Sequence, residues 1–333
     1  MKKLLTLALA LVMALSLSVA SAEVVFQLAE THAEGYPTTL ADYEFARLVE
    51  ERTEGRVKIE VYSGSQLADS EATAIEMLQA GTLGFTRVSA SPVASYVPAL
   101  NAIQMPYLYK SADHMWAVLD GEIGQNMLAE VQASGSGLIG LCWYDSGSRS
   151  FYITDAAYKK ANFAEADLTG LKIRMQNNAM MVRMIELLGG TGVTGIGANE
   201  VYSSIQTGVV DGAIGMGAEG YYSNMADLVK YYLPINDHFE CWHAYMNLEK
   251  FESLSELQQE AIMTAAANME ANRWEVAEAE TAEYEAKLEE KGAVVIEFTD
   301  EQLQAFGEKA KTEVWPHVAP EVGEDYFAMV TGQ

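Results

Sequence analysis

Apolar side chains along this chain recur with two periods. Val57, Ile59 and Val61 alternate with Lys58 and Glu60, the period of a half-buried strand. Leu40, Phe45, Leu48 and Val49 share one face of a helix, expected from a Thr38 cap to about Thr53, with Gly55 as its stop. Residues 24–28 read as a first strand, and the polar loop from Glu30 through His32 to Gly35 follows it. This opening order of strand, loop, helix and strand predicts an α/β fold.

The design then recurs. A helix is expected from Ser70 to Gln79, a glycine stops it at Gly81, and a strand follows over 83–88. Residues 202–212 show the same order, with Gln206 and Gly208 standing where Gln79 and Gly81 stood, 127 positions later (206 minus 79). A glycine suits the left-handed position after a helix. Two such units so far apart predict two domains of similar build. Between and beyond them the pattern predicts helices in 111–133, a buried strand over 138–144 and a short strand over 171–173 ending at Arg174. It further predicts a helix over 179–188, a helix capped by Asn199 and ending at Gln206, and a flexible turn over 211–217. A returning strand over 239–246 and a closing strand and helix over 297–330 complete the chain. From Ser255 to about Lys291 no proline or glycine interrupts a run rich in Ala, Glu, Met and Leu. At 1.5 Å per residue that is a helix of about 55 Å. Its apolar positions keep no strict heptad, so a strut across two domains is the expectation rather than a coiled coil.

The first 22 residues stand apart. Lys2 and Lys3 precede an apolar run from Leu4 to Val19, and Ala20-Ser21-Ala22 offers a small-x-small cleavage site. This is the pattern of a secretory signal peptide cleaved after Ala22. It places the mature chain outside the cytoplasmic membrane, in the periplasm of a Gram-negative cell, with no stable membrane insertion. Losing the two lysines takes the formal charge from −26 to −28, which argues against nucleic acid or an anionic membrane surface as partner. The roughly 310 remaining residues exceed one comfortable core, again favouring two domains. Cys142 and Cys241 are the two cysteines; an oxidising compartment permits a disulfide between them, but buried free thiols are common and are the favoured reading.

Enzyme and cofactor signatures are missing from the sequence. There is no phosphate loop, no nucleophile elbow and no His-Glu-x-x-His. The five histidines show no metal-ligand spacing beyond His238 and His243, which five residues apart on a strand face opposite sides. What remains is a set of polar and aromatic groups at expected strand ends. Arg174, followed by Asn177, ends a short strand, and ligands of open α/β domains bind beyond the carboxyl ends of strands. A guanidinium there can hold a carboxylate by a bidentate fork. Arg149, Trp143, Tyr144, Tyr221, Tyr222 and His243 are candidates for the same cleft, an aromatic-walled site with a few fixed polar groups. On the first-domain side the candidate wall is formed by Ser89, Arg87 and His32. For Arg87 a partner carboxylate in its own domain is the favoured reading.

The chain resembles the substrate-binding proteins of tripartite ATP-independent periplasmic (TRAP) transporters, the DctP type, over essentially its whole mature length. The resemblance rests on Gly55-Arg56-Val57, Gln66-Leu67, Met105-Pro106-Tyr107-Leu108, Gly147-Ser148-Arg149, Leu168 through Arg174, and Asn199-Glu200-Val201-Tyr202 through Asp211-Gly212. It implies a two-lobed, periplasmic-binding-protein-like α/β fold with hinge strands and one long helix spanning both lobes. Lobe one would hold 23–146 and 238–278, and lobe two 147–237 and 279–333. It implies closure of the lobes on a small organic acid, which is then handed to the large and small subunits of a membrane permease. The family's carboxylate-binding arginine falls on Arg174, a second arginine on Arg149 and an asparagine on Asn177. One departure is visible. Where many relatives carry Gln-Glu-Asn-Pro, this chain has Ala213-Ile214-Gly215-Met216. Gly215 in place of that asparagine removes a polar contact and opens space, and Ser89 stands near the place of a glutamate found in sialic-acid-type relatives. Both departures point away from the common sugar acids, sialic acid and simple C4-dicarboxylates, towards a bulkier or more apolar acid stacked on Tyr221, Tyr222 or Trp143. A ligand sensor docking on a membrane receptor, or a periplasmic enzyme acting on a small acid, are the alternatives. A monomer is expected, although so long a helix can dimerise.

Overall fold

The computed structural model describes residues 23–331 except Ala166 and Val229. The expected signal segment lies outside these residues. Eleven strands form two sheets among the described residues: β1 (Val24–Ala29), β2 (Val57–Tyr62), β3 (Phe85–Ser89), β4 (Leu138–Ser148), β5 (Ser150–Ile153), β6 (Lys172–Arg174), β7 (Thr191–Val193), β8 (Gly212–Met216), β9 (Tyr231–Leu233), β10 (Phe239–Asn247) and β11 (Val294–Val295). The first sheet has the order β2-β1-β3-β10-β4 and the second β11-β9-β5-β8-β6-β7. Each is the floor of one lobe.

In lobe one, β1 runs parallel to β2 and β3, while β10 returns antiparallel between β3 and β4. The helix Pro37–Arg52 makes the first crossover. It starts one residue before the expected Thr38 cap, because Pro37 occupies the first turn with its backbone already helical and Tyr36 is the cap residue. Ser70 caps the next helix, Glu71–Gln79, by accepting from the Thr73 amide. In lobe two, β6 runs parallel to both β7 and β8, and β5 pairs antiparallel with β8 and β9.

The expected flexible turn at 211–217 is instead β8, an interior strand. Its glycines suggested a turn, but Gly212 is there for closeness. A Cβ on it would lie 2.6 Å from the Tyr152 carbonyl oxygen and 2.5 Å from Ile153. Asn199 likewise sits inside a short 3-10 turn and not at a cap.

The chain crosses between lobes at β4–β5 and at β9–β10, and these crossings are tied where the Arg149 amide donates to the His238 carbonyl at 2.8 Å. The third connection is the helix Glu256–Glu290, capped by a Ser255–Gln258 box. Ile262, Ala265, Ala266 and Met269 enter a core with Phe45 and Tyr144 of lobe one. About three turns of helix beyond Ala277, Leu288 enters a core with Tyr152, Tyr221 and Tyr232 of lobe two. The strut therefore spans both lobes.

Beyond it the tail is three helices, Asp300–Glu313, Trp315–Val322 and Glu324–Thr331, and not one. The last two lie on lobe one: Trp315 Nε1 donates to the Pro106 carbonyl at 3.0 Å, and Tyr326 donates to Glu130 at 3.3 Å. The expected assignment of all of 279–333 to lobe two thus differs from the packing at its end. The two cysteines are buried thiols and not a disulfide. Cys142 faces the core containing Met269, whereas Cys241 faces the opposite core, near the Ile103 carbonyl. Side chains on opposite faces of a sheet cannot form the bond.

Candidate functional site

The lobe-two wall is built on β6. Leu171 and Ile173 are buried in the core, which leaves Arg174 at the carboxyl end of a parallel strand, between β7 and β8. Its Nε and Nη2 both donate to the Ile196 carbonyl, at 3.0 and 2.8 Å. Arg174 is 5% exposed, and among the described residues no carboxylate lies within ion-pair distance of it. Burial pushes its pKa down, with the nearby Tyr221 and Glu71 acting the other way; an arginine remains charged regardless. This is a buried cation held in place by a single carbonyl.

Behind it stands Gly215, at φ +96°. Its missing side chain does not leave space: a Cβ there would lie 3.0 Å from the Gln176 Oε1. The Gln176 carboxamide thus occupies the volume that the sequence suggested was open. Asn177 is exposed. Its neighbour Asn178 is the buried one, capping the helix Ala179–Leu187 through its Oδ1 and reaching Ser91 of lobe one at a long 3.5 Å.

The lobe-one wall is a dense ion network. Arg87 donates through Nε to Glu30 at 2.7 Å, and its Nη2 also bonds Glu30. Asp42 lies 3.5 Å from the same Nε and accepts from Tyr144 at 3.1 Å. The Trp242 ring covers the guanidinium at 3.7 Å. His32 bonds Glu30 at 2.8 Å through Nδ1 and stacks between Tyr36, at 4.3 Å, and Trp242, at 4.8 Å. Burial pushes Glu30 up, but Arg87 and His32 outweigh it and hold its carboxyl well below the usual range. Burial and the charge of Glu30 together push Asp42 well above the usual range. One arginine thus faces two acids, and it favours the charged form of Glu30 while Asp42 is shifted towards its neutral form.

Next to this network, Ser89 has its amide bonded to Glu71 at 3.2 Å, while its buried hydroxyl has no partner among the described residues. His243 is fully buried beside Trp143, with ring centres 3.9 Å apart. Its Nδ1 bonds the Tyr245 hydroxyl, its Nε2 has no partner among the described residues, and burial drives its pKa well down, so the ring is neutral.

The hinge contributes Arg149, 1% exposed, whose Nη1 donates to Glu219 at 3.3 Å. Glu219 also accepts from Tyr36 of lobe one at 3.1 Å. The structure therefore brings Arg149, Arg87 and His32 together around Trp242, with Ser89 paired to Trp242 across β3 and β10.

Three expected wall residues lie elsewhere. Tyr221 is in the lobe-two core, donating to the Ala213 and Ser150 carbonyls and packed on Tyr152 at 4.7 Å. Tyr222 turns to the strut, against Tyr284 and Lys287. Tyr144 points into the opposite core from Trp143, as strand alternation requires. The sequence reading passed over Glu219, Tyr36, Trp242 and Gln176. Gln176 at least stood beside Arg174, whereas nothing in spacing marked the other three. A second cleft, lined by Tyr107, Met184, Ile235, Phe306 and Val314, is apolar and has only Lys309 as a cation, so it does not suit a small polar acid. Among the described residues no group of His, Cys, Asp or Glu is arranged to hold a metal ion, and no helix is long and apolar enough to cross a membrane.

Comparison with known proteins agrees with this architecture. Residues 28–319 match the model of DctP, bacterial extracellular solute-binding protein, family 7. A solute-binding protein of Chromohalobacter salexigens is 37% identical over 238 residues, covering 71% of this chain and 68% of the relative. Among solved structures, a TRAP periplasmic solute-binding protein from the same species with bound D-glucuronate superposes with a TM-score of 0.84 at 30% identity, covering 92% of this chain and 99% of that one. One from Sulfitobacter sp. NAS-14.1 with bound β-D-galacturonate gives 0.84 at 29% identity, covering 93% and 100%.

Proposed function

This chain belongs to bacterial extracellular solute-binding protein family 7, a family of binding proteins and not of enzymes, and from that premise we propose that it captures a small sugar acid in the periplasm. The observation that carries the proposal is Arg174, a guanidinium withdrawn from water that bonds one carbonyl and, among the described residues, has no carboxylate within ion-pair distance. A ligand carboxylate would supply the missing charge through a bidentate pair. Arg149 adds a second cation at the hinge, and the unpartnered Ser89 hydroxyl and His243 Nε2 offer bonds to hydroxyl groups on the far side. Bound uronates in the neighbours of known structure favour the same class. The sequence expectation of a bulkier, apolar acid loses its support, because Tyr221 and Tyr222 are turned away and Gln176 fills the space at Gly215.

In this reading the lobes close about β4–β5 and β9–β10, and ligand binding energy shifts the open–closed equilibrium. The closed complex is then read by the large and small permease subunits, and the signal peptide is removed after Ala22. A thermal-shift panel of sugar acids, uncharged sugars, dicarboxylates, 2-oxo acids, aromatic acids and amino acids tests it. A ligand at 100 to 1,000 times its dissociation constant adds about 2.7 to 4.1 kcal/mol of stability. The expected hits are uronates and related hydroxy acids. Stabilisation confined to aromatic acids, or to uncharged sugars, would overturn the proposal.

A further inference from the structure

Glu219 lies 6% exposed near the start of the helix Ala218–Met225, directly after β8. A buried carboxylate needs partners, and two of those it has come from different rigid parts of the molecule. Arg149 of the hinge donates to Oε1 at 3.3 Å, and the Tyr36 hydroxyl of lobe one donates to the same oxygen at 3.1 Å. Tyr36 is fixed on lobe one twice over. It is the cap residue of the helix Pro37–Arg52, and its ring stacks on His32 at 4.3 Å with 18° between the planes. The chain also makes room for the carboxylate. A Cβ on Gly217 would lie 2.3 Å from one Glu219 carboxylate oxygen and 2.8 Å from the other.

We propose that Glu219 is an interlobe latch that also positions Arg149. Its carboxylate holds the hinge arginine from lobe two and takes the Tyr36 hydroxyl from lobe one, so the bond to Tyr36 exists only while the lobes are together. Opening the lobes strips one donor from a carboxylate that remains attached to Arg149. The latch therefore favours closure and sets how much of the ligand's binding energy is spent on it. Its link to affinity rests on the sugar-acid reading above; its effect on the ligand-free protein does not.

The test uses the chain from Glu23 onward as wild type, Tyr36→Phe, Glu219→Gln and the double variant. Small-angle scattering gives the ligand-free radius of gyration, and calorimetry with D-glucuronate gives affinity. Tyr36→Phe removes one oxygen and leaves packing intact, so it keeps the test open if Glu219→Gln fails to fold. The expected results are a larger ligand-free radius for each single variant and affinity weakened roughly tenfold, the effect of a hydrogen bond to a charged group. The double variant should be no weaker than the worse single one, because each substitution takes away the same charged hydrogen bond between Tyr36 and Glu219. An unchanged ligand-free radius in Tyr36→Phe, or losses that multiply in the double variant, would overturn the latch. If wild type binds no acid in the panel yet Tyr36→Phe still expands, the sugar-acid reading falls and the latch stands. If wild type binds D-glucuronate and Tyr36→Phe neither expands nor weakens binding, the latch falls alone.

Discussion

Two arginines are buried on sheet strands of facing lobes, and their surroundings differ in kind. Arg87, in the middle of β3, is bonded to Glu30, lies near Asp42 and is covered by Trp242. Arg174, at the end of β6, meets one carbonyl. Both have lost their hydration, which costs several kcal/mol per ion. In lobe one the chain pairs the charge directly; in lobe two Glu71 acts only from a distance, and no carboxylate of the described residues pairs with the guanidinium. A cation compensated from within holds structure together, and a cation left uncompensated is suited to bind an anion from outside.

The comparison breaks first on stability. Arg87→Met leaves Glu30 buried without its cation and should destabilise the protein by about 3–5 kcal/mol, read by urea denaturation. Adding Glu30→Gln should recover part of that loss. Arg174→Met has no such partner to strand, so the ligand-free protein should be unchanged or more stable. Equal destabilisation by the two substitutions would mean that the two sites are not different in kind.

A buried carboxylate without a cation offers the mirror case. Glu270, on the strut, has an Oε1 with no partner among the described residues, and burial, with Asp120 nearby, pushes its pKa up to about 8 from 4.5. A folded-state pKa above the unfolded one means that the folded protein holds the extra proton. The contribution is therefore fully present below about pH 4.5 and lost as pH rises through about 8. Across that window the group should remove about 1.4 kcal/mol of stability per pH unit. Glu270→Gln should flatten the profile by that slope and stabilise the protein at neutral pH. Parallel profiles for variant and wild type would place the carboxyl in contact with water.

Binding comes next in size. Arg174→Ala should lose at least about 2 kcal/mol of affinity for a sugar acid, the cost of truncating one side of a desolvated charge pair. Arg174→Lys should recover only part, because an ammonium cannot form the planar fork. Calorimetry on a folded Arg174→Ala protein with unchanged affinity would remove the anchor.

Much of this contrast was legible in the sequence, but not all of it. Arg174 could be read because strand periodicity ended on it, and a strand end fixes where a side chain projects. That Arg87 pairs with an acid of its own lobe was also readable as a preference; which acid was not, since Glu30 lies 57 residues away and Asp42 comes from a helix. The aromatic candidates misled for one reason. A tyrosine in a glycine-rich stretch looks available, yet β8 is an interior strand, and the helix after it turns Tyr221 inward to cap two carbonyls. Glu219 had no signature at all. Its role exists only because three separate segments meet, and no local period reports a meeting.

The smallest effect bears on the lobe-two wall itself. Gly215 has φ +96°, where a side chain is strained, and its nearest neighbour would be the flexible Gln176 amide. The two causes predict different orders of tolerance. If the backbone decides, Gly215→Ala should cost about 1 kcal/mol, and Gly215→Asn less, because asparagine accepts positive φ more readily than alanine. If contact with Gln176 decides, the larger asparagine should cost more, and Gln176→Ala should rescue it. Melting temperatures of the three variants separate these cases. The first order would mean that lobe two sets the shape of its wall through the strand and lets Gln176 adjust. The second would mean that Gln176 is itself a fixed part of the site, packed beside an arginine that the chain leaves open.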